Sequence, residues 1–128
     1  MNARTDESSL LATQWTGYAD RHLDRTNLLL HALSVPAFMA GSVVVGLGPF
    51  FGPWWLAAIG VFTMAVSIAS QGRGHRREKP PTPFRSPFDA VARLTVEQWV
   101  TFPRYVFTGG FRRAWMLSAR TEARMPPQ

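Results

Sequence analysis

The chain has no cysteine, which removes disulfides, thiolate metal sites and a cysteine nucleophile from consideration. It has a single lysine, Lys79, and only three histidines, His22, His31 and His75. Its most telling absence is of charge. From Thr26 to Gly72, 47 consecutive residues contain no Asp, Glu, Lys or Arg. A water-soluble domain normally carries charge at frequent intervals on its solvent faces, and this stretch carries none. Internal repeats are also absent. GSVVVGLG, residues 41–48, lacks the Lys-Ser/Thr pair that a phosphate-cradling loop requires.

The charge that is present is divided unevenly. Residues 1–25 hold three arginines against four acids, a net of −1, whereas residues 73–128 hold ten arginines and Lys79 against four acids, a net of +7. An uncharged stretch of this length accommodates two spanning helices of about 20 residues each and a turn. Gly46-Leu47-Gly48-Pro49-Phe50-Phe51-Gly52-Pro53 supplies helix breakers near its middle, and Trp54-Trp55 follow where interfacial aromatics are expected. The pattern predicts helix A over 27–47 and helix B over 54–71, with Pro36 a kink point and Ala40-Gly41-Ser42 a place of close helix approach. The expected fold is therefore all-α, an integral membrane helical hairpin flanked by an N-terminal helix and C-terminal amphipathic interfacial helices.

Four segments follow from this reading: an N-terminal helix (1–25), the transmembrane hairpin (26–72), a basic Pro-rich linker (73–85) and amphipathic basic helices (86–128). Arginines after helix B place both termini on the cytoplasmic side of the cytoplasmic membrane. The first residues lack the basic-then-apolar order of a signal peptide, so the N-terminus is expected to be retained. Leu10, Leu11, Trp15, Tyr18 and Leu23 form an apolar stripe before the hairpin. Beyond it, Pro80-Pro81-Thr82-Pro83 reads as an extended linker and Ser86-Pro87 as a helix start. Arg93 and Glu97 are expected to pair at i,i+4, Pro103 to interrupt that helix, and Phe111–Arg120 to form the last one. Arg104, Arg112, Arg113 and Arg120 interleave with Tyr105, Phe107, Phe111 and Trp115, a composition suited to anionic headgroups. Nucleic-acid binders share that composition, but beside a membrane hairpin no nucleic-acid partner is expected.

All three histidines fall at one predicted membrane depth. His31 in the first turns of helix A faces His75 at the end of helix B. On one straight helix the nine-residue spacing from His22 to His31 would turn roughly 900° and put them on opposite faces. A chain reversal over Asp24-Arg25-Thr26-Asn27, with Thr26 or Asn27 as N-cap, would fold His22 back. Glu78 follows His75 by three residues and Gln71 precedes it by four, on the same helical face. The expected site is His22, His31, His75 and Glu78 as metal ligands, with Asn27 and Gln71 holding the rings by hydrogen bonds. Imidazoles with a carboxylate and open positions suit non-haem Fe(II) oxygen chemistry.

Tyr18-x3-His22-x4-Asn27-x3-His31-x4-Pro36 and Gln71-x2-Gly74-His75-x2-Glu78-x-Pro80 resemble the 2-hydroxy fatty acid dioxygenase-like family of small membrane proteins. The resemblance covers about residues 15–85. It implies an Fe(II)-dependent dioxygenase that shortens long-chain 2-hydroxy fatty acids by one carbon, with a lipid or fatty-acyl substrate. It also implies that His22, His31 and His75 occupy the family's histidine positions, with Glu78 near its acidic position. Asn27, Gln71 and Glu78 are the expected catalytic residues. In the fungal members the acid follows the histidine by four residues rather than three, more spanning segments are present, and residues 86–128 have no counterpart. A reading from another class stands beside it: a non-catalytic membrane scaffold or accessory subunit. A homo-oligomer or a membrane-complex partner is the expected protein company.

Overall fold

Gly17, at φ 73°, takes the left-handed conformation that ends the first helical segment (α1, residues 10–15) and turns the chain. The structure is a computed structural model that describes residues 10–78 and 83–124. The expected Pro80-Pro81-Thr82 extension lies outside the described residues.

A 3-10 turn, Ala19–Arg21, follows α1, and Asp24 then caps the next helix by accepting from the Asn27 backbone N–H at 2.9 Å. That helix, α2, runs Arg25–Phe51, and α3 runs Trp55–His75. At about 1.5 Å per residue they reach roughly 40 and 31 Å, against about 30 Å of bilayer hydrocarbon. Both are long and apolar enough to cross a membrane. Only 33% of the apolar stretch of α2 and 17% of that of α3 are buried within the molecule. Core helices of a soluble protein would be mostly covered. Phe50, Phe51 and Trp54 at the turn are 79, 86 and 79% exposed.

The two long helices meet through glycine. A Cβ on Gly41 would lie 2.8 Å from the Gly60 carbonyl oxygen, and one on Gly60 would lie 2.7 Å from that of Gly41. Near the other ends, a Cβ on Gly74 would lie 2.2 Å from Asn27 Oδ1, and one on Gly48 would lie 3.4 Å from Leu56. Early residues of α2 thus touch late residues of α3, and late touch early. The close approach expected at Ala40-Gly41-Ser42 is an intrachain one.

The expected break at 46–53 is displaced. Helix α2 continues through Gly46, Gly48 and Pro49 and stops only at Gly52, whose N–H bonds back to the Gly48 carbonyl at 2.8 Å. A helix opened at 46–49 would leave several peptide groups unpaired, whereas Pro49 in the last turn removes only one bond. Likewise α3 extends past Gln71 to His75.

Ser86 caps α4 (Pro87–Val96), accepting from Asp89 N–H at 3.1 Å with Pro87 at the first helical position. Pro103 does not interrupt the chain's helical course as expected. The preceding turn, Glu97–Thr101, is wound as a π-helix, with the Phe102 N–H bonded to the Glu97 carbonyl, and α5 (Phe102–Phe107) follows at once. A wider turn accommodates a residue that lacks an N–H and crowds the carbonyl four before it. Gly109, at φ 79°, makes the turn into α6, Gly110–Arg124, longer than the expected Phe111–Arg120. The arginine–aromatic mixture of this half packs inward in part: Arg25 lies 4.4 Å over Trp115 and Arg104 4.2 Å over Trp15. A core of Tyr18, Leu28, Val35, Phe102, Tyr105 and Ala114 joins α2 to the N- and C-terminal segments.

Candidate metal centre

Three chain segments bring the histidines together. Asp24 caps α2 immediately after a reversal, so His22 folds back over the first turns of α2, where His31 points inward. His75 is the last residue of α3. Ring centroids lie 4.7 Å apart for His22–His31, 4.8 Å for His31–His75 and 5.3 Å for His22–His75. The reversal is the one expected, with Asp24 rather than Thr26 or Asn27 as its cap.

The carboxylate that joins them is Glu97, the first residue of the π turn. Its Oε1 lies 3.5 Å from His31 Nε2 and 3.9 Å from His75 Nε2. One donor atom from each of His22, His31, His75 and Glu97 lies within 4.8 Å of all the others, and this group can hold a metal ion. The separations exceed good hydrogen-bond length; they suit donors arranged around a shared centre.

The orphaned atoms support that fit. His22 Nδ1 bonds the Tyr18 carbonyl at 2.8 Å and His31 Nδ1 bonds the Asn27 carbonyl at 3.1 Å. A carbonyl only accepts, so Nδ1 carries a proton in both rings and Nε2 is the nitrogen left to face the group. Both Nε2 atoms, and Nδ1 of His75, are buried without a hydrogen-bond partner. Imidazoles whose far nitrogen is fixed by a carbonyl are the usual state of metal-ligating histidines. Uncompensated, such buried nitrogens would be costly.

Electrostatics point the same way. Burial, and then the neighbouring His31, push His22 down to about 3, so it is neutral near pH 7. Burial opposes a charge on Glu97, but the adjacent His31 and His75 imidazoles outweigh it and hold the carboxyl well below its ordinary range. Tyr18 stacks on His22 at 4.0 Å and donates its hydroxyl to Glu97 Oε1 at 3.4 Å. Burial, with the Glu97 charge next, raises the Tyr18 phenol well above its ordinary value, so it remains a donor.

Glu78 is placed elsewhere. α3 ends at His75, so the helical face expected to carry Glu78 beside it is not continued. Instead its carboxylate accepts from the Asp24 backbone N–H and faces the Leu23–Asp24 loop and Asn27. Burial raises its carboxyl above the ordinary value despite those bonds. Asn27 does not face the metal group with its side chain either. It lies over Gly74 and donates to the Arg21 carbonyl at 3.2 Å; its backbone carbonyl is what orients His31. Gln71 contacts Ser34 and Gln98, not a ring: its Nε2 donates to Ser34 Oγ and to Gln98 Oε1, both at 2.9 Å, and Gln98 Nε2 returns a bond to Gln71 Oε1 at 2.6 Å.

Ser34, Gln71 and Gln98 follow His31 by three, precede His75 by four and follow Glu97 by one. This buried amide lock thus lies beside the metal group on each of its three supporting elements and ties the π turn to both long helices. Glu97 and Gln98 were not among the expected site residues. The one signal for them is that Gln98 falls on the apolar stripe of its helix, an expensive place for an amide without a partner. Arg93, the expected partner of Glu97, bonds back to Asp89 at 2.8 Å instead.

Beyond Tyr18 and Tyr105 a cleft of about 410 Å³ is bordered by Trp15, Leu23, Arg113 and Leu117. Tyr105 lies 5.8 Å from His22, ring to ring, and its phenol is pushed up to about 12 by burial and then by Glu78. Comparison with protein-family models, with curated proteins and with solved structures found no match.

Proposed function

We propose that the chain is a membrane-embedded helical hairpin that holds Fe(II) at its cytoplasmic end and oxidises long-chain 2-hydroxy fatty acids to acids one carbon shorter. The observation that carries this reading is the group of three imidazoles and one carboxylate, His22 and His31 buried and His75 and Glu97 half-buried, with the Nε2 atoms of His22 and His31 buried and unpartnered. The sequence resemblance stated above supplies the substrate class, and the exposed apolar faces of α2 and α3 support the bilayer. Arg73, Arg76 and Arg77 at the end of α3 favour the cytoplasmic side for that end and for both termini.

Ferrous iron, when bound, supplies redox chemistry with dioxygen and a Lewis-acidic position for the adjacent carboxylate and hydroxyl oxygens of the substrate. His22, His31, His75 and Glu97 would hold it, three neutral donors and one negative. Tyr18 and Asn27 hold two of the rings in the required tautomer through their carbonyls. The rings of Tyr18 and Phe102 pack on His22 and His31 and shield those two imidazoles from water. The cleft against Tyr18 and Tyr105 gives an acyl substrate room within one ring's thickness of His22, with Arg113 on its border as a carboxylate partner. The overall reaction balances without a further reductant: a 2-hydroxy acid and one dioxygen give the shortened acid, carbon dioxide and water.

The test is incubation of the iron-loaded, detergent-purified protein with 2-hydroxypalmitate while oxygen uptake and the C15 acid are followed. Matched oxygen uptake and C15 acid support the reading. A fully metal-loaded protein that forms no shortened acid from any long-chain 2-hydroxy acid contradicts it. The scaffold reading accounts for the apolar helices but not for a cluster of three imidazoles and a carboxylate, which is why the enzymatic reading is preferred.

A further inference from the structure

The junction of α2 and α6 holds a feature that the iron chemistry leaves unused. Leu29, Phe111, Arg112 and Trp115 line an open cleft of about 340 Å³. Its walls are almost wholly apolar, the exposed Arg112 borders it, and no carboxylate lines it. Leu29 lies in the second turn of α2, and Leu33, one turn further along, is 74% exposed. The apolar wall therefore continues down the outer surface of a helix long enough to span a bilayer.

Helix α6 is anchored by its other face. Gly110, Ala114 and Ser118 are buried, leaving Arg112, Arg113, Met116, Leu117 and Arg120 outside. Contact with Arg25 fixes the Trp115 wall. Arg73, Arg76 and Arg77 are exposed at the end of α3, which lies beside the start of α2. Arg112 alone of these cations borders the apolar slot, which opens beside the first turns of α2.

We propose that this cleft binds one anionic phospholipid of the surrounding bilayer. The phosphodiester pairs with Arg112, and one acyl chain lies along the stacked Phe111 and Trp115 rings and continues over Leu29 towards Leu33. Guanidinium matches phosphate oxygens in a two-pronged geometry, and basic pockets beside spanning helices on the cytoplasmic side take anionic headgroups. The inference rests on the membrane placement proposed above and is independent of the iron chemistry.

Native mass spectrometry of the full-length protein, released from micelles containing phosphatidylglycerol or phosphatidylcholine, tests it. The wild type retains a single phosphatidylglycerol and little phosphatidylcholine. Arg112→Gln lowers that retention about fivefold, the equivalent of about 1 kcal/mol for one basic residue. Leu29→Trp, which fills the slot, lowers it as well, and Arg76→Gln, outside the cleft, leaves it unchanged. Equal retention of both lipids, unchanged retention in Arg112→Gln and Leu29→Trp, or displacement of phosphatidylglycerol by equimolar oleate overturns the proposal. Iron content of the same samples stays constant, so loss of lipid with iron intact separates this site from the metal centre. A full-length chain that remains monodisperse in water without detergent contradicts the membrane placement itself, and the lipid proposal with it.

Discussion

Glu97 is the residue on which the metal centre turns. It comes from the C-terminal half of the chain, 22 positions after His75, and supplies the only carboxylate in the group. Glu97→Gln keeps the shape and removes the charge, and iron affinity is expected to fall about tenfold or more; a metal titration of the two proteins reads this. The histidines were legible in the sequence because they are few and each borders an uncharged run. Glu97 was not, because Arg93 four residues earlier offers the default surface partner, and nothing in the helical period announces a π turn. His22 adds a pH prediction for the metal-free protein. Its folded value is about 3 against an ordinary 6.5, so the unfolded chain takes up a proton first as the pH falls. Stability is full above about pH 6.5 and declines as the pH drops from there towards about 3. Thermal unfolding of the metal-free protein in detergent should show the midpoint falling between about pH 7 and about pH 4, with His22→Gln flattening the slope. A flat wild-type profile would place His22 in water.

At the scale of elements, the contact between α2 and α3 depends on small residues that let the backbones meet. Gly60→Ala puts a methyl group 2.7 Å from the Gly41 carbonyl oxygen, and backbone atoms cannot turn aside. The expected cost is about 1–3 kcal/mol. Gly46→Ala is the control, since a Cβ there meets nothing within 4 Å; it should leave the thermal midpoint unchanged or raise it. Equal effects of the two would mean that the helices do not approach at Gly41 and Gly60. The small residues near Gly41 announced a close approach, whereas the end of α2 was misplaced because Gly and Pro were weighed by their behaviour in water. In apolar surroundings the helix keeps its bonds through Gly46 and Gly48 and yields only after Phe51. The amide lock has a prediction of its own. Gln98→Leu leaves Gln71 Oε1 unpaired, removes both bonds from the π turn to Gln71 and should weaken iron binding about tenfold, although Gln98 is no ligand.

The whole molecule places a polar cluster that can hold a metal ion at one end of two long apolar helices and completes it with a carboxylate from the segment that follows. Residues 86–128 carry Glu97, Gln98, Phe102 and Tyr105, so they complete the site rather than merely resting on lipid. The proposed topology has the α2–α3 turn on one side of the membrane and the metal group on the other. Because the chain has no cysteine, single cysteines introduced by Pro53→Cys and Arg77→Cys report it without interference. An impermeant thiol reagent should label the first from the periplasmic or external side only and the second from the cytoplasmic side only; labelling from the same side would refute the hairpin. The central claim, that His22, His31, His75 and Glu97 form one metal centre, is tested most directly by metal analysis of the detergent-purified protein beside its His22→Ala, His31→Ala, His75→Ala and Glu97→Ala variants. Near-stoichiometric iron in the wild type and strong loss in each variant is the predicted result. A folded wild type that takes up no metal when supplied with ferrous iron, or four variants that keep wild-type metal content, would contradict it.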